Sequence, residues 1–252
     1  MDFYAVTGRG DNGSGEAVPT TASVLAQEAE EPNSILDAKR LVTTTANLLK
    51  GTPGKRGKFL DVGCGYGFFS REARDQGFEV TALDLAANKR TVAREIMGFD
   101  PVASSFEDFD CEPSSFSAVL MSQVLEHVSD VNLWIVKVRN LLVNNGIVAI
   151  ALPNYGNIFR LVRQEKSPYI TPPEHLNFFN PKSLSSLLEK HGFRVENVQW
   201  ISRVPKRILK RRMPKPVLPL FPVVATTSRI LLGAFDAMHL GLIINVYGRK
   251  VG

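Results

Sequence analysis

The sequence predicts an α/β fold: a doubly wound, mostly parallel sheet of seven strands with helices on both faces. Three observations predict it. Short apolar runs alternate along the chain with longer amphipathic stretches, which is the pattern of strands joined by crossover helices. Ser117-Ala118-Val119-Leu120-Met121 is almost continuously apolar, as a strand covered on both faces must be. Phe59-Leu60-Asp61-Val62 runs straight into glycines at 63, 65 and 67 and then into a helical stretch, so strand, tight turn and helix follow one another.

Taken in order, Asn33 or Ser34 can cap a helix over about 35–50, whose apolar face carries Ile35, Leu36, Leu41, Val42, Leu48 and Leu49. Gly51-Thr52-Pro53-Gly54 ends it. The first strand, the glycine turn and a helix to about Gln76 come next, and Gly77 marks the break. A second strand ends at Asp84 and a helix runs to about Met97. A short third strand is expected near 101–103, and strand four at 117–121. A helix over 131–143 leads through Asn144-Asn145-Gly146 to strand five at 147–152, which Pro153-Asn154 stops. A helix over 182–191 precedes strand six at 193–201, and the last strand covers 242–250. Residues 1–33 read as a flexible leader without the basic and apolar regions of a signal peptide. The folded domain is expected over 34–252, with a basic and apolar insertion at about 203–238.

With 252 residues the chain can hold one such domain. Cys64 and Cys111 suggest neither a disulfide framework nor a metal cluster, and a reducing, cytoplasmic setting follows. The formal charge of +5 is local. Arg203, Lys206, Arg207, Lys210, Arg211, Arg212 and Lys215 crowd one stretch without acids, and without those seven the charge falls to −2.

The glycine turn carries the chemistry. Its spacing is G-x-G-x-G with Phe68 at the sixth position, whereas a dinucleotide site wants G-x-G-x-x-G over an anionic pyrophosphate. Asp61, two residues before the first glycine, would repel that anion and welcome a cation. Asp84 lies 19 residues after Gly65, near the ~20-residue spacing of an acid that accepts from two ribose hydroxyls. The alternative is that Asp84 only caps the following helix.

Asp61-Val62-Gly63-Cys64-Gly65-Tyr66-Gly67 resembles the first motif of the class I S-adenosylmethionine-dependent methyltransferases. The resemblance covers roughly residues 35–199 and the last strand. It implies a Rossmann-like fold and S-adenosylmethionine as cofactor, with Asp61, Gly63, Cys64, Gly65 and Gly67 around the methionine end and Asp84-Leu85 at the ribose. Ser105 and Phe106 stand where the family reads adenine, Ser105 in place of the usual Asp; Glu107 and Asp108 either share that role or form a surface loop. Ser122-Gln123-Val124-Leu125-Glu126-His127-Val128 is similar to the Leu-Glu-His-Val segment of the branch that includes the ubiquinone-pathway O-methyltransferases. That similarity places Ser122 and Gln123 near the methionine moiety and makes His127 a candidate base or metal neighbour, unless Glu126 and His127 merely cap a short helix. Pro172-Pro173-Glu174-His175-Leu176-Asn177-Phe178-Phe179 is similar to a segment of the same branch that faces the acceptor. His175, Tyr155 and Asn154 there could orient a hydroxyl, or His175 could hold the loop.

The resemblance implies methyl transfer to a small-molecule, glycan- or lipid-linked acceptor, most readily at oxygen, with no metal required. A binding protein without turnover and a nicotinamide-dependent oxidoreductase are the rivals. The 203–238 segment reads as a lid or homodimer contact, as a peripheral membrane contact, or, last, as a nucleic-acid contact. It has too many prolines to span a bilayer and lacks interleaved aromatics for stacking bases.

Overall fold

A computed structural model of the protein describes residues 18–50, 57–164, 173–203, 210, 213–214 and 219–252. Six strands form one sheet: β1 (Lys58–Val62), β2 (Glu79–Leu83), β3 (Phe116–Ser122), β4 (Leu142–Pro153), β5 (Phe193–Ile201) and β6 (Ile243–Lys250). Their spatial order is β2-β1-β3-β4-β6-β5. β1 to β4 are parallel, and β6 runs antiparallel between β4 and β5. The class expected from sequence is the class observed.

The strand count differs by one, for a local reason. The stretch expected as strand three makes a single parallel bridge, Leu83 to Val102. Val102 N–H donates to the Ala82 carbonyl, and its own carbonyl accepts from Asp84. Pro101 has no N–H to extend the ladder, and Ser104 N–H turns back onto Val102. At the other end of the domain, β4 begins earlier than expected. Register passes from Phe116↔Leu142 to Ala118↔Ile147, so the expected turn 144–146 lies in a bulge inside the strand, with Asn145 at φ 64°.

Eight α-helices and a short 3-10 helix at Leu125–His127 complete the described fold: α1 (Thr21–Glu30), α2 (Asn33–Leu48), α3 (Phe68–Asp75), α4 (Ala87–Met97), α5 (Val131–Leu141), α6 (Ile158–Arg163), α7 (Pro181–Lys190) and α8 (Phe221–Ala237). Strand alternation sorts the core onto two faces. Leu60, Val119, Val148 and Ile150 pack with Ile135 and Val138 of α5 and with Leu184 and Leu188 of α7. Phe59, Ala118, Leu120, Ile147 and Ala149 pack instead with Leu41 and Val42 of α2 and Ala73 of α3. Layers on both sides leave the carboxyl ends of β1, β2 and β3 open at one edge.

The segment read as a leader contains α1. Thr20 and Ser23 close a reciprocal cap on it, and Val24 is buried beside Phe68, Val92 and Ile96. The cap of α2 is also not the expected one. Neither Asn33 nor Ser34 caps with its own side chain; Pro32 stands at that position. The buried Glu28 carboxylate reaches over from α1 and accepts from Ser34 N (3.0 Å), Ile35 N (3.3 Å) and Ser34 Oγ (2.6 Å). A carboxylate on the open N–H groups of a helix start suits both their hydrogen bonding and the helix dipole.

Candidate active site

Where β1 ends, Gly63 and Gly65 take φ of 70° and 57°. A side chain at Gly63 would meet Val124 Cγ2 at 2.9 Å, so only glycine keeps the backbone this close to the loop after β3. At Gly65 a Cβ would meet nothing, and the space beyond is open. Gly65 N–H donates to Asp84 Oδ2 at 2.8 Å, while Asp84 Oδ1 accepts from Ala86 N at 2.8 Å. The tip of β2 is therefore clamped to the glycine turn, and the carboxylate also serves the turn before α4. The reading of Asp84 as a support for the helix that follows describes part of this geometry. Its oxygens still have lone pairs beyond those two bonds.

A cleft of about 330 Å³ opens above this clamp, within the range of small-molecule sites. Of the residues singled out from sequence, its wall contains Gly63, Asp84, Leu85, Ser105, Phe106, Glu107 and His127. Phe106 is buried against Trp134, ring centroids 4.8 Å apart. Trp134 Nε1 donates to Glu107 Oε1 at 3.0 Å, which holds Glu107 in the wall. Asp108 instead closes a local turn with Ser105: the Ser105 hydroxyl donates to Asp108 Oδ2 at 2.7 Å and accepts from Asp108 N at 3.0 Å.

Other expected residues lie behind the wall. Asp61 is buried and accepts from Ser70 Oγ at 2.6 Å, tying β1 to α3. Burial is the main cause that pushes its carboxyl up to about 7, with the Asp84 charge adding and the Ser70 bond opposing. Cys64 donates its backbone N–H to Leu83 O, and burial followed by the Asp61 and Asp84 carboxylates raises its thiol far above the range of a reactive thiolate. Gly67, at φ 80°, starts α3 over the Met97 side chain. Ser122 and Gln123 are outside the wall as well. Gln123 adopts φ 57° and gives its N–H to Ala151 O at 2.7 Å, so the chain turns one residue too early for its side chain to enter. Val124 and Val128 line the cleft there instead.

The two remote segments meet. Leu176 and Asn177 N–H groups donate to Glu126 O at 2.8 and 3.0 Å, and Asn177 Nδ2 donates to Val128 O at 2.7 Å. Leu176 thereby enters the cleft wall. His127 Nδ1 is 2.7 Å from Glu174 O, and a carbonyl can only accept, so Nδ1 carries the hydrogen and Nε2 is the basic nitrogen. The His175 ring stands edge-on to it at 4.9 Å. Behind them Glu126 is 2% exposed, and neither of its oxygens has a hydrogen-bond partner among the described residues. Burial pushes this carboxyl up to about 8. The ligand atoms of Glu126, His127 and His175 all lie within 4.8 Å of one another, so among the described residues this is the set with donors for a metal ion. Asn154 is structural: it is buried, with Nδ2 on Gly241 O and Oδ1 on Gly156 N. Tyr155 packs on Phe178 at 5.5 Å and under the Arg160 guanidinium at 4.7 Å.

Sequence reasoning missed Trp134, Val124 and Val128. The inward stripe of α5 (Trp134, Ile135, Val138, Leu141) marks Trp134 as core-facing, but not that its indole edge reaches the mouth of the cleft.

Comparison with known proteins agrees with this fold. A family described as a methyltransferase domain matches residues 33–198. The ubiquinone biosynthesis O-methyltransferase of Xanthomonas campestris pv. campestris (strain B100) is 35% identical over 190 residues, covering 71% of this chain and 78% of that protein. The mouse mitochondrial ubiquinone biosynthesis O-methyltransferase is 31% identical over 173 residues, 63% of this chain; the chain spans about half the length (47%) of that relative. Among solved structures, a SAM-dependent methyltransferase from Archaeoglobus fulgidus has the same fold, with a TM-score of 0.61 at 20% identity, covering 90% of this chain and 99% of that one. The chain belongs to the methyltransferase-domain family, as a class I S-adenosylmethionine-dependent enzyme that resembles the ubiquinone-pathway O-methyltransferases.

Proposed function

We propose that the enzyme transfers a methyl group to an oxygen of a small-molecule acceptor, free or carried on a lipid or glycan. The observation that carries this reading is the Asp84 clamp, which sets an acid across a Cβ-free turn at the floor of the cleft. The residues fit the cofactor. Asp84 can accept from two vicinal hydroxyls, Gly63 and Gly65 let backbone approach the methionine end, and Ser105, Phe106 and Glu107 offer a polar edge and an apolar wall for adenine. Bound S-adenosylmethionine supplies a methyl group on a positively charged sulfur, which is already electrophilic. This chain's share is then to hold the acceptor in line, exclude water and take one proton.

His127 is the group in the cleft wall suited to that proton, at Nε2, with Glu174 O fixing its tautomer. Oxygen as the acceptor atom is supported by the relatives, whose names make them O-methyltransferases of ubiquinone biosynthesis. S-Adenosylhomocysteine formation across a panel of phenols and alcohols, soluble and in detergent, tests the reading. His127→Gln is expected to lower kcat by about a hundredfold with the affinity for S-adenosylmethionine unchanged. Cofactor binding without product for any acceptor would favour a binding protein over an enzyme.

A further inference from the structure

A row of rings leads outward from the cleft wall to a cation. His127 is in the wall, and the His175 ring stands 4.9 Å from it. Phe178 lies 6.4 Å from His175, Tyr155 lies 5.5 Å from Phe178, and the Arg160 guanidinium sits over the Tyr155 ring at 4.7 Å. Backbone bonds fix the row at both ends. Leu176 and Asn177 hang on Glu126 O beside the wall, and Phe179 O accepts from Tyr155 N at 2.7 Å. Beneath Arg160, Asn157 Oδ1 accepts from its backbone N–H at 3.0 Å, and Asn154 and Asn157 are each 1% exposed.

Arg160 is a cation without a counter-charge. Among the described residues no carboxylate pairs with it. Its Nη2 donates to Tyr155 Oη at 3.2 Å, and its Nε is buried with no acceptor among the described residues. A guanidinium is always charged and buried donors as a rule have partners, so this place is short of an acceptor. A cation in the last turn of α6 also suits the helix dipole, but Arg163, exposed in the same turn, supplies that without any stacking. What Arg160 has in addition is direction: the Tyr155 ring holds the guanidinium against its face, and the edge of a guanidinium is the part that meets oxygens. Tyr155 Oη accepts from Nη2, so its own hydrogen remains to be donated to the same oxygens.

We propose that Arg160 and Tyr155 form a subsite for an oxyanion, a carboxylate or phosphate carried by the acceptor, at the outer end of the ring row. Phe178 and His175 then floor the part of that molecule between its anion and the cleft. The inference rests on the methyl-transfer reading for calling the molecule an acceptor, and its test reads binding alone. Phenyl phosphate, benzoate and benzyl alcohol are titrated into the full chain saturated with S-adenosylhomocysteine and followed by ligand-observed NMR. Wild type should bind one of the two anions about tenfold or more tighter than the neutral alcohol, and the tighter anion names the source. Arg160→Gln should bring that anion down to the level of the alcohol. Arg160→Lys should restore part of the preference, since it keeps the charge and loses the planar fork. Tyr155→Phe should weaken the anion by about threefold or more and leave the alcohol unchanged. All three variants should keep wild-type affinity for S-adenosylhomocysteine, whose expected site at the Asp84 clamp lies on other connections. Equal binding of the three probes to wild type, or an anion preference that survives Arg160→Gln, overturns the proposal and leaves methyl transfer standing. So does a variant that weakens all three probes alike, which would make Arg160 a packing partner of Tyr155 only. Wild type that fails to bind S-adenosylhomocysteine overturns the cofactor reading and the proposal with it.

Discussion

Glu126 shows how one buried side chain sets the behaviour of a site. Its ordinary pKa is 4.5, and burial in the fold pushes it up to about 8. Between those values the folded chain holds a proton that the unfolded chain has released. Stability therefore falls as pH rises across this window, by at most about 1.4 kcal/mol per pH unit from this group. Asp61, raised from 3.8 to about 7, contributes a fall of the same sign over its own window. Glu126→Gln keeps the shape and removes the titration. Urea unfolding from about pH 5 to about pH 8 should show a shallower decline for the variant, and a decline equal to wild type would contradict the assigned burial. The side chain's importance was invisible in sequence, where Glu126 is one letter of a Leu-Glu-His-Val string. Its burial without a hydrogen bond to either oxygen depends on the loop from Glu174 to Asn177, which bonds to the Glu126 carbonyl and not to its carboxyl.

At the scale of elements, legibility followed locality. The glycine turn and the strands around it were readable because φ above zero, apolar runs and the acid at a strand tip are all signalled within a few residues. What failed was decided across elements. The short stretch at 101–103 has the composition of a strand, but Pro101 and the back-turn at Ser104 leave one bridge. Ser122 and Gln123 sit at the tip of β3 as expected, yet the turn at Gln123 hands the wall to Val124. The start of α2 is held by Glu28 of α1, a cap from outside the helix that no local motif announces. Glu28→Ala should therefore cost about 1–3 kcal/mol in thermal or denaturant unfolding. Since α1 and α2 are joined by that carboxylate, faster hydrogen exchange at Ser34 and Ile35 should accompany the loss; exchange left unchanged would remove the cap from the account.

Across the whole molecule, the sheet order explains why one edge is chemically competent. β1 and β3 are neighbours although β2 lies between them in sequence, and the crevice forms where the chain leaves β1 toward β2 on one side and β3 toward β4 on the other. Asp84, Phe106 and His127 come from three separate connections and reach the same cleft. The architecture could be inferred from the alternation of patterns, and the family from seven residues around the glycines. The rest of the cleft wall could not be read in the same way, because it is assembled from segments 125–128 and 174–177 and from an indole of α5 that packs on Phe106.

Isothermal titration of S-adenosylmethionine and S-adenosylhomocysteine into wild type and Asp84→Ala measures the central claim most directly, with Asp84→Asn separating the loss of charge from the loss of the Gly65 clamp. Wild type should bind both ligands at one site. Asp84→Ala should weaken each by at least about a hundredfold while circular dichroism stays that of a folded chain, and Asp84→Asn should fall between the two. Equal affinity in all three proteins, or no binding to wild type, would contradict the placement of the cofactor over the glycine turn.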